Sequence, residues 1–170
     1  LSLHDALPIW DIKRFFPEEY EVGVNALKMV QKRVGMELST DEAGFIALHL
    51  VNAEMEEEVG NIYELTKLMQ EITNIVKYYF KVSFDEDSVY FYRFSTHLKF
   101  FCYRLLHQRE VVENDDEELY AVIKKKYLNA YRCVEKISLY LNENYDYQVS
   151  NEERLYLTIH IARIVQTTEQ

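Results

Sequence analysis

The sequence predicts an all-α fold, on three observations. Only 4 of its 170 residues are Gly and 2 are Pro, too few to turn a chain repeatedly through a β-sandwich or a Rossmann-type sheet. Apolar side chains recur at three- and four-residue steps through most of the chain, the spacing that gathers them on one face of a helix. Helix-start signals stand ahead of those runs: Pro17 before Glu18, Ser39 three residues before Glu42, and Ser88 after an acidic cluster.

The elements follow in order. Leu1–Ile9 shows neither a helical period nor a secretory h-region and reads as a non-native segment, so His4 and Asp5 are not counted as a metal-binding pair. Pro17 with Glu18 and Glu19 opens a helix, through the fixed proline φ and an acidic first turn. Tyr20, Val24, Leu27, Val30 and Val34 give it an apolar stripe, and Gly35 stops it. Ser39-Thr40-Asp41-Glu42 is a capping box, in which Ser39 is expected to accept from the Glu42 amide while the Glu42 carboxylate reaches back. The helix it starts runs to about Met55. The acidic run from Glu54 to Gly60 reads as a linker. A long helix over 62–80 carries Leu65, Leu68, Met69, Ile72, Ile75, Val76 and Tyr79 on one face, and the Asp85–Ser88 cluster caps another over 89–107. The acidic stretch from Glu113 to Glu118 reads as a solvated loop or helix entry. Two more helices close the chain, over 119–144 with a possible break and over 151–166.

Composition excludes several classes. Apolar residues make up 48% and charged residues 28%, with 19 Lys+Arg against 29 Asp+Glu for a net charge of -10. A chain so acidic is a poor holder of nucleic acid by itself, because phosphate binding needs clustered cations. No apolar run approaches the ~20 residues of a membrane span, so no membrane insertion is expected. Cys102 and Cys133 are too few for a disulfide scaffold and suit a reducing cytosol, which predicts a cytoplasmic location.

A repeat underlies the order of helices. At an offset of 111 (from His49 to His160), Ser39–Glu42 falls on Ser150–Glu153 and Phe45–Leu50 falls on Tyr156–Ile161. Continuing upstream without a gap aligns Ile12 with Ile123, Phe16 with Tyr127, Tyr20 with Tyr131 and Val30 with Leu141. Two copies of one helical module are the simplest account. Residues 59–170 read as a whole copy and residues 10–58 as the last part of another, whose missing helices would precede residue 1. The chain therefore reads as a fragment, in which apolar positions such as Phe45 and Val51 are expected to lie exposed.

His49 and His160 occupy apolar helix segments, FIALHL and LYLTIHI, of the kind buried in a core or interface. Packing is the simpler reading of either alone; their shared register argues for more. His97 lies on the 89–107 helix with Arg93 four residues before it and Arg104 seven after, while Arg163 stands three after His160. Burial pushes an imidazole towards its neutral form, leaving a ring nitrogen free as nucleophile or ligand, and arginines beside it suit a bound phosphoryl group. The alternative is that these arginines merely reach solvent. A zinc site is disfavoured because His-Glu-x-x-His, Cys-x-x-Cys and Glu-x-x-His are all missing. There is no phosphate-cradling glycine loop, and the apolar setting of Cys102 argues against a cysteine nucleophile. No catalytic residue, metal or cofactor is assigned.

Three strings carry a family likeness. DEAGFIALHLVNAEM (Asp41 to Met55), RFSTHLKFF (Arg93 to Phe101) and NEERLYLTIHIARIV (Asn151 to Val165) closely resemble the PTS regulation domains, or PRDs, of BglG/LicT-type bacterial transcriptional antiterminators. The resemblance implies tandem PRD helical bundles, the first truncated (10–58) and the second complete (59–170). It implies that His97 and His160 are the phosphorylatable pair of the second PRD and His49 the second histidine of the first; the spacing of Arg93, Arg104 and Arg163 around the pair makes them the phosphate-stabilising candidates. Phosphoryl groups would come from HPr or a sugar-specific enzyme II of the phosphotransferase system. The expected product is a homodimeric regulatory module, not an enzyme, that reaches RNA only through an absent N-terminal domain. Three other readings stay open: a PRD from a DNA-binding activator, a helical-bundle metal hydrolase using His97 and His160, and a degenerate PRD whose histidines only pack.

Overall fold

Among the described residues (9–55, 59–108 and 116–168 of a computed structural model) there are eight α-helices and no strand. They are α1 (Ile9–Phe15), α2 (Pro17–Val34), α3 (Asp41–Met55), α4 (Val59–Phe80), α5 (Val89–Leu106), α6 (Glu117–Lys126), α7 (Leu128–Tyr145) and α8 (Asn151–Thr168). Apart from Ile9, the opening segment expected to be non-native lies outside the described residues, as do parts of both acidic stretches. The expected linker from Glu54 is shorter than its composition suggests, since α3 continues through Met55 and α4 has begun by Val59. The chain divides into two compact units, Leu1–Lys67 and Leu68–Gln170.

In the first unit, Pro17 occupies the first turn of α2, where its missing N–H costs nothing. Gly35 ends the helix at φ 70°, donating its amide to the Gln31 carbonyl. Glycine is required for a different reason at Gly23. A Cβ there would lie 2.3 Å from the Ala43 carbonyl oxygen, so α2 and α3 touch backbone to backbone. Around that contact Ile12, Phe15, Phe16, Leu27, Ala47 and Leu48 are buried. Two expectations fail here. The α2 stripe is only partly covered, with Val30 and Val34 exposed. Val51 is buried and Phe45 half-buried, because α1 and α2 both pack on α3. The capping box also differs: Ser39 Oγ accepts from the Asp41 amide at 3.2 Å, and the Glu42 amide bonds the Ser39 carbonyl instead.

In the second unit α8 packs against α5, α6 and α7. Helices α4 and α7 run antiparallel, fixed at one end by the Tyr145 hydroxyl donating to Glu71 (2.7 Å) and further along by Lys136 over the Tyr79 ring. Ile72, Val76, Ile137 and Leu141 are fully buried. Ser88 caps α5, accepting from the Phe91 amide at 3.1 Å, and Phe94, Leu98, Phe101 and Leu105 form its buried stripe. The suspected break in the 119–144 helix is real and falls at Tyr127, between α6 and α7.

The 111-residue offset reproduces local geometry. Phe16 (φ -132°, ψ 58°) and Tyr127 (φ -120°, ψ 49°) cap α2 and α7 in the same backbone conformation. Both helices are 18 residues long, and both end on a left-handed residue, Gly35 and Asp146.

Candidate functional site

Two helices build the site. Helix α8 starts at a closed capping box: the Glu153 amide donates to Ser150 Oγ (3.2 Å), while the Glu153 carboxylate accepts from the Ser150 amide (3.1 Å) and the Tyr147 hydroxyl (2.8 Å). Arg154 then ties α8 to α7 through Ser138 Oγ (2.9 Å) and an ion pair with Glu135, and to the segment between the two helices through the Val149 carbonyl (3.2 Å). With the start of α8 fixed, Tyr156, His160 and Arg163 recur at helical spacing on the side that meets α5.

On α5, the buried residues Phe94, Leu98 and Phe101 set its rotation and turn His97 towards α8. The His97 and His160 rings stack, centroids 3.8 Å apart and planes 27° apart. Tyr156 touches both. Its hydroxyl is hydrogen-bonded to His97 Nδ1, and its ring meets His160 edge-on at 4.5 Å. Both histidines are half-buried and line a cleft of about 310 Å³ with Tyr90, Arg93, Arg163 and Thr167.

Electrostatics keep these rings neutral. Burial lowers the His97 pKa, and Arg163 adds to the effect. Burial likewise pulls His160 down to about 4, helped by its stacked neighbour His97 and by Arg163. Two protonated imidazoles at stacking distance would repel each other beside a guanidinium, so the pair stays uncharged at neutral pH. What results is a pair of neutral nitrogen bases opening on a cleft with two cationic side chains, an arrangement suited to taking and holding an anionic electrophile such as a phosphoryl group.

The site candidates separate into three groups. His97, His160, Arg93 and Arg163 come together at the cleft. Arg104 does not line it; its charge instead acts on the Tyr147 and Tyr156 hydroxyls, behind the histidines. His49 is exposed on α3, not buried as its apolar segment suggested. Helix α3 turns Ala43, Ala47, Leu48 and Val51 inward, leaving position 49 on the opposite side. Tyr156 is the residue that inspection of the sequence missed. Its signal was there, a tyrosine one turn before a histidine on the same face where the first copy has Phe45.

Cys102 and Cys133 are both buried; burial raises the first thiol well above its ordinary range and the second to about 12, which leaves neither as a ready thiolate. Among the described residues no group of three His, Cys, Asp or Glu is placed to hold a metal ion, and no helix is long and apolar enough to cross a membrane.

The helices and the stacked histidine pair beside arginines define the class of protein, an all-helical histidine-bearing bundle. The PRD domain family matches residues 5–53 and 70–164, most of the chain in two segments, and the chain belongs to that family. It is 48% identical over 165 residues to the transcription antiterminator LicT of Bacillus subtilis (strain 168), covering 97% of this chain and 59% of that protein. It is 45% identical over 155 residues to the beta-glucoside operon antiterminator of Dickeya chrysanthemi, covering 91% and 54%. The PtsGHI operon antiterminator of Bacillus subtilis (strain 168) is 25% identical over 156 residues, covering 92% and 55%. The chain thus spans a little over half the length of these relatives.

Proposed function

We propose that this chain is the phosphorylation-responsive regulatory and dimerisation module of a bacterial transcriptional antiterminator controlling a sugar-utilisation operon. It works in the cytoplasm as a homodimer and catalyses no reaction of its own. His97 and His160, in a second PRD spanning 59–170, accept phosphoryl groups from HPr. His49, in the part of a first PRD spanning 10–58, is the acceptor for a sugar-specific enzyme II. RNA is bound by a separate N-terminal domain of the whole protein. The observation that carries this reading is the neutral His97–His160 stack opening on Arg93 and Arg163. The relatives' names, all antiterminators, favour it over a DNA-binding activator or a metal hydrolase.

The physics of the switch is charge. A phosphoryl group brings about two negative charges to rings that carried none. Arg93 and Arg163 stabilise that charge, while the stacked ring beside it must give way, so modification alters how α5 meets α8 and any surface built on them. Exposure of His49 fits an acceptor reached directly by a donor protein. The test is incubation with enzyme I, HPr and phosphoenolpyruvate, comparing the wild type with His97→Ala and His160→Ala. Acid-labile phosphate on both histidines is expected, each signal disappearing with its own substitution; no phosphate on either ring overturns the reading.

A further inference from the structure

Tyr156 is in contact with both rings, and it treats them differently. Its hydroxyl bonds His97 Nδ1, whereas among the described residues neither nitrogen of His160 has a hydrogen-bond partner and the phenol meets that ring only edge-on. A neutral imidazole carries one proton, and the partner of one nitrogen decides which nitrogen keeps it. We propose that Tyr156 is a positioning residue for His97: its oxygen accepts the Nδ1 proton, which holds the Nε2 lone pair towards the arginine-lined cleft and makes His97 the readier phosphoryl acceptor of the two.

Two features favour that direction for the hydrogen bond. The cleft presents guanidinium groups, Arg93 and Arg163, and guanidinium only donates. An Nε2–H aimed at them would set donor against donor, while an Nε2 lone pair is attracted. On the other side of the ring, burial keeps Tyr156 a neutral phenol, and a phenol oxygen has lone pairs to offer Nδ1–H.

The consequence for phosphoryl transfer, which rests on the acceptor reading above, follows from the proton count. The donor is a phosphoramidate, the N–P linkage of a phosphohistidine. As that bond breaks, its electron pair returns to the donor nitrogen, and the Nε2 lone pair of His97 forms the new N–P bond. The product ring keeps its Nδ1 proton and becomes cationic, and the Tyr156 oxygen stabilises that proton where it already lies. No proton has to leave first. With the opposite tautomer Nε2 is blocked until it loses its hydrogen. At the equivalent place in the first copy, Phe45 one turn before His49 has no hydroxyl with which to do this.

The test uses the whole chain labelled with 15N-histidine. Long-range proton–nitrogen correlations should show His97 protonated at Nδ1 and bare at Nε2, and Tyr156→Phe should turn that into a tautomer mixture; protonation at Nε2 in the wild type overturns the proposal. In parallel, potassium phosphoramidate serves as a small phosphoryl donor. In a His160→Ala background, Tyr156→Phe should slow phosphate formation on His97 about tenfold, as loss of an orienting hydrogen bond does. In a His97→Ala background the same change should alter His160 by less than about twofold. Equal slowing of both, or of neither, overturns the proposal. If neither ring takes phosphate from phosphoramidate or from HPr, the acceptor reading fails instead, and the tautomer spectrum still decides the role of Tyr156.

Discussion

Between α2 and α3 the contact passes through Gly23, where a Cβ would fall 2.3 Å from the Ala43 carbonyl oxygen. One offset later the same two places hold Val134 and Arg154. Val134 is fully buried between α7 and its neighbours, and Arg154 spans the gap by bonding Ser138, Glu135 and the Val149 carbonyl. Backbone contact joins the helices in one unit and a polar bridge joins them in the other, yet helix lengths and caps keep the same register. Helix ends are set locally, by Phe16 and Tyr127 at one end and by Gly35 and Asp146 at the other, so the interface between the helices is free to be rebuilt. The histidines teach the complementary lesson. His49 and His160 share a register, and within its own unit His160 lies against α5, a helix outside the aligned stretch. Repeated sequence reproduces the scaffold; in the second unit the packing of α5 on α8 makes the stacked pair.

The capping boxes give the sharpest way to break this comparison. Glu153 is buried and holds two donors, the Ser150 amide and the Tyr147 hydroxyl. Glu153→Ala should cost about 2–3 kcal/mol by stripping a cap and stranding both donors. Glu42, its exposed counterpart, should tolerate alanine within about 0.5 kcal/mol. Urea unfolding measures the losses and hydrogen exchange in α8 and α3 locates them; equal costs would mean that the two boxes do the same work. Gly23→Ala comes next. The obstacle is backbone, so α2 must move off α3, at about 1–2 kcal/mol after the helix-propensity gain of alanine is counted. Exchange should rise in α2 and α3; an unchanged or stabilised unit would show that the close approach is not needed.

Much of this was legible in the sequence because the signals are local. Ser88, Pro17, Gly35 and the apolar stripe of α5 act within one or two turns, and each did what its spacing predicts. The repeat, too, is a property of the string. What escaped depends on tertiary placement. The apolar run FIALHL promised a buried His49, but α3 buries one side, and periodicity alone does not say which residues of a nearly all-apolar segment face out. Arg104 shares a helix with His97, yet seven residues carry it two turns along, beside Tyr147 and Tyr156 and away from the cleft. The Tyr156–His97 bond joins residues 59 apart on different helices, and no one-dimensional pattern announces it.

The smallest expected effect concerns acidity. His160 has its proton affinity lowered to about 4 by burial and by the stacked His97, against an ordinary value of 6.5. Between those limits the unfolded chain binds a proton that the folded one refuses, so stability falls as pH drops from about 6.5 to about 4 and this contribution changes no further below that. His97, lowered in the same direction, adds to the slope. Both rings keep partial contact with water, which screens the effect and holds it below what the shift alone would give. Carboxylates also begin to titrate in this range, so the measurement is a difference: urea midpoints of the wild type against His160→Gln, followed over pH 4–7. The substitution removes one titrating ring and the repulsion it exerts on the other, so the curve should flatten. A slope that survives unchanged would mean that the stacked pair is not what distinguishes α8 from α3, and that the acid sensitivity belongs to the carboxylates around them.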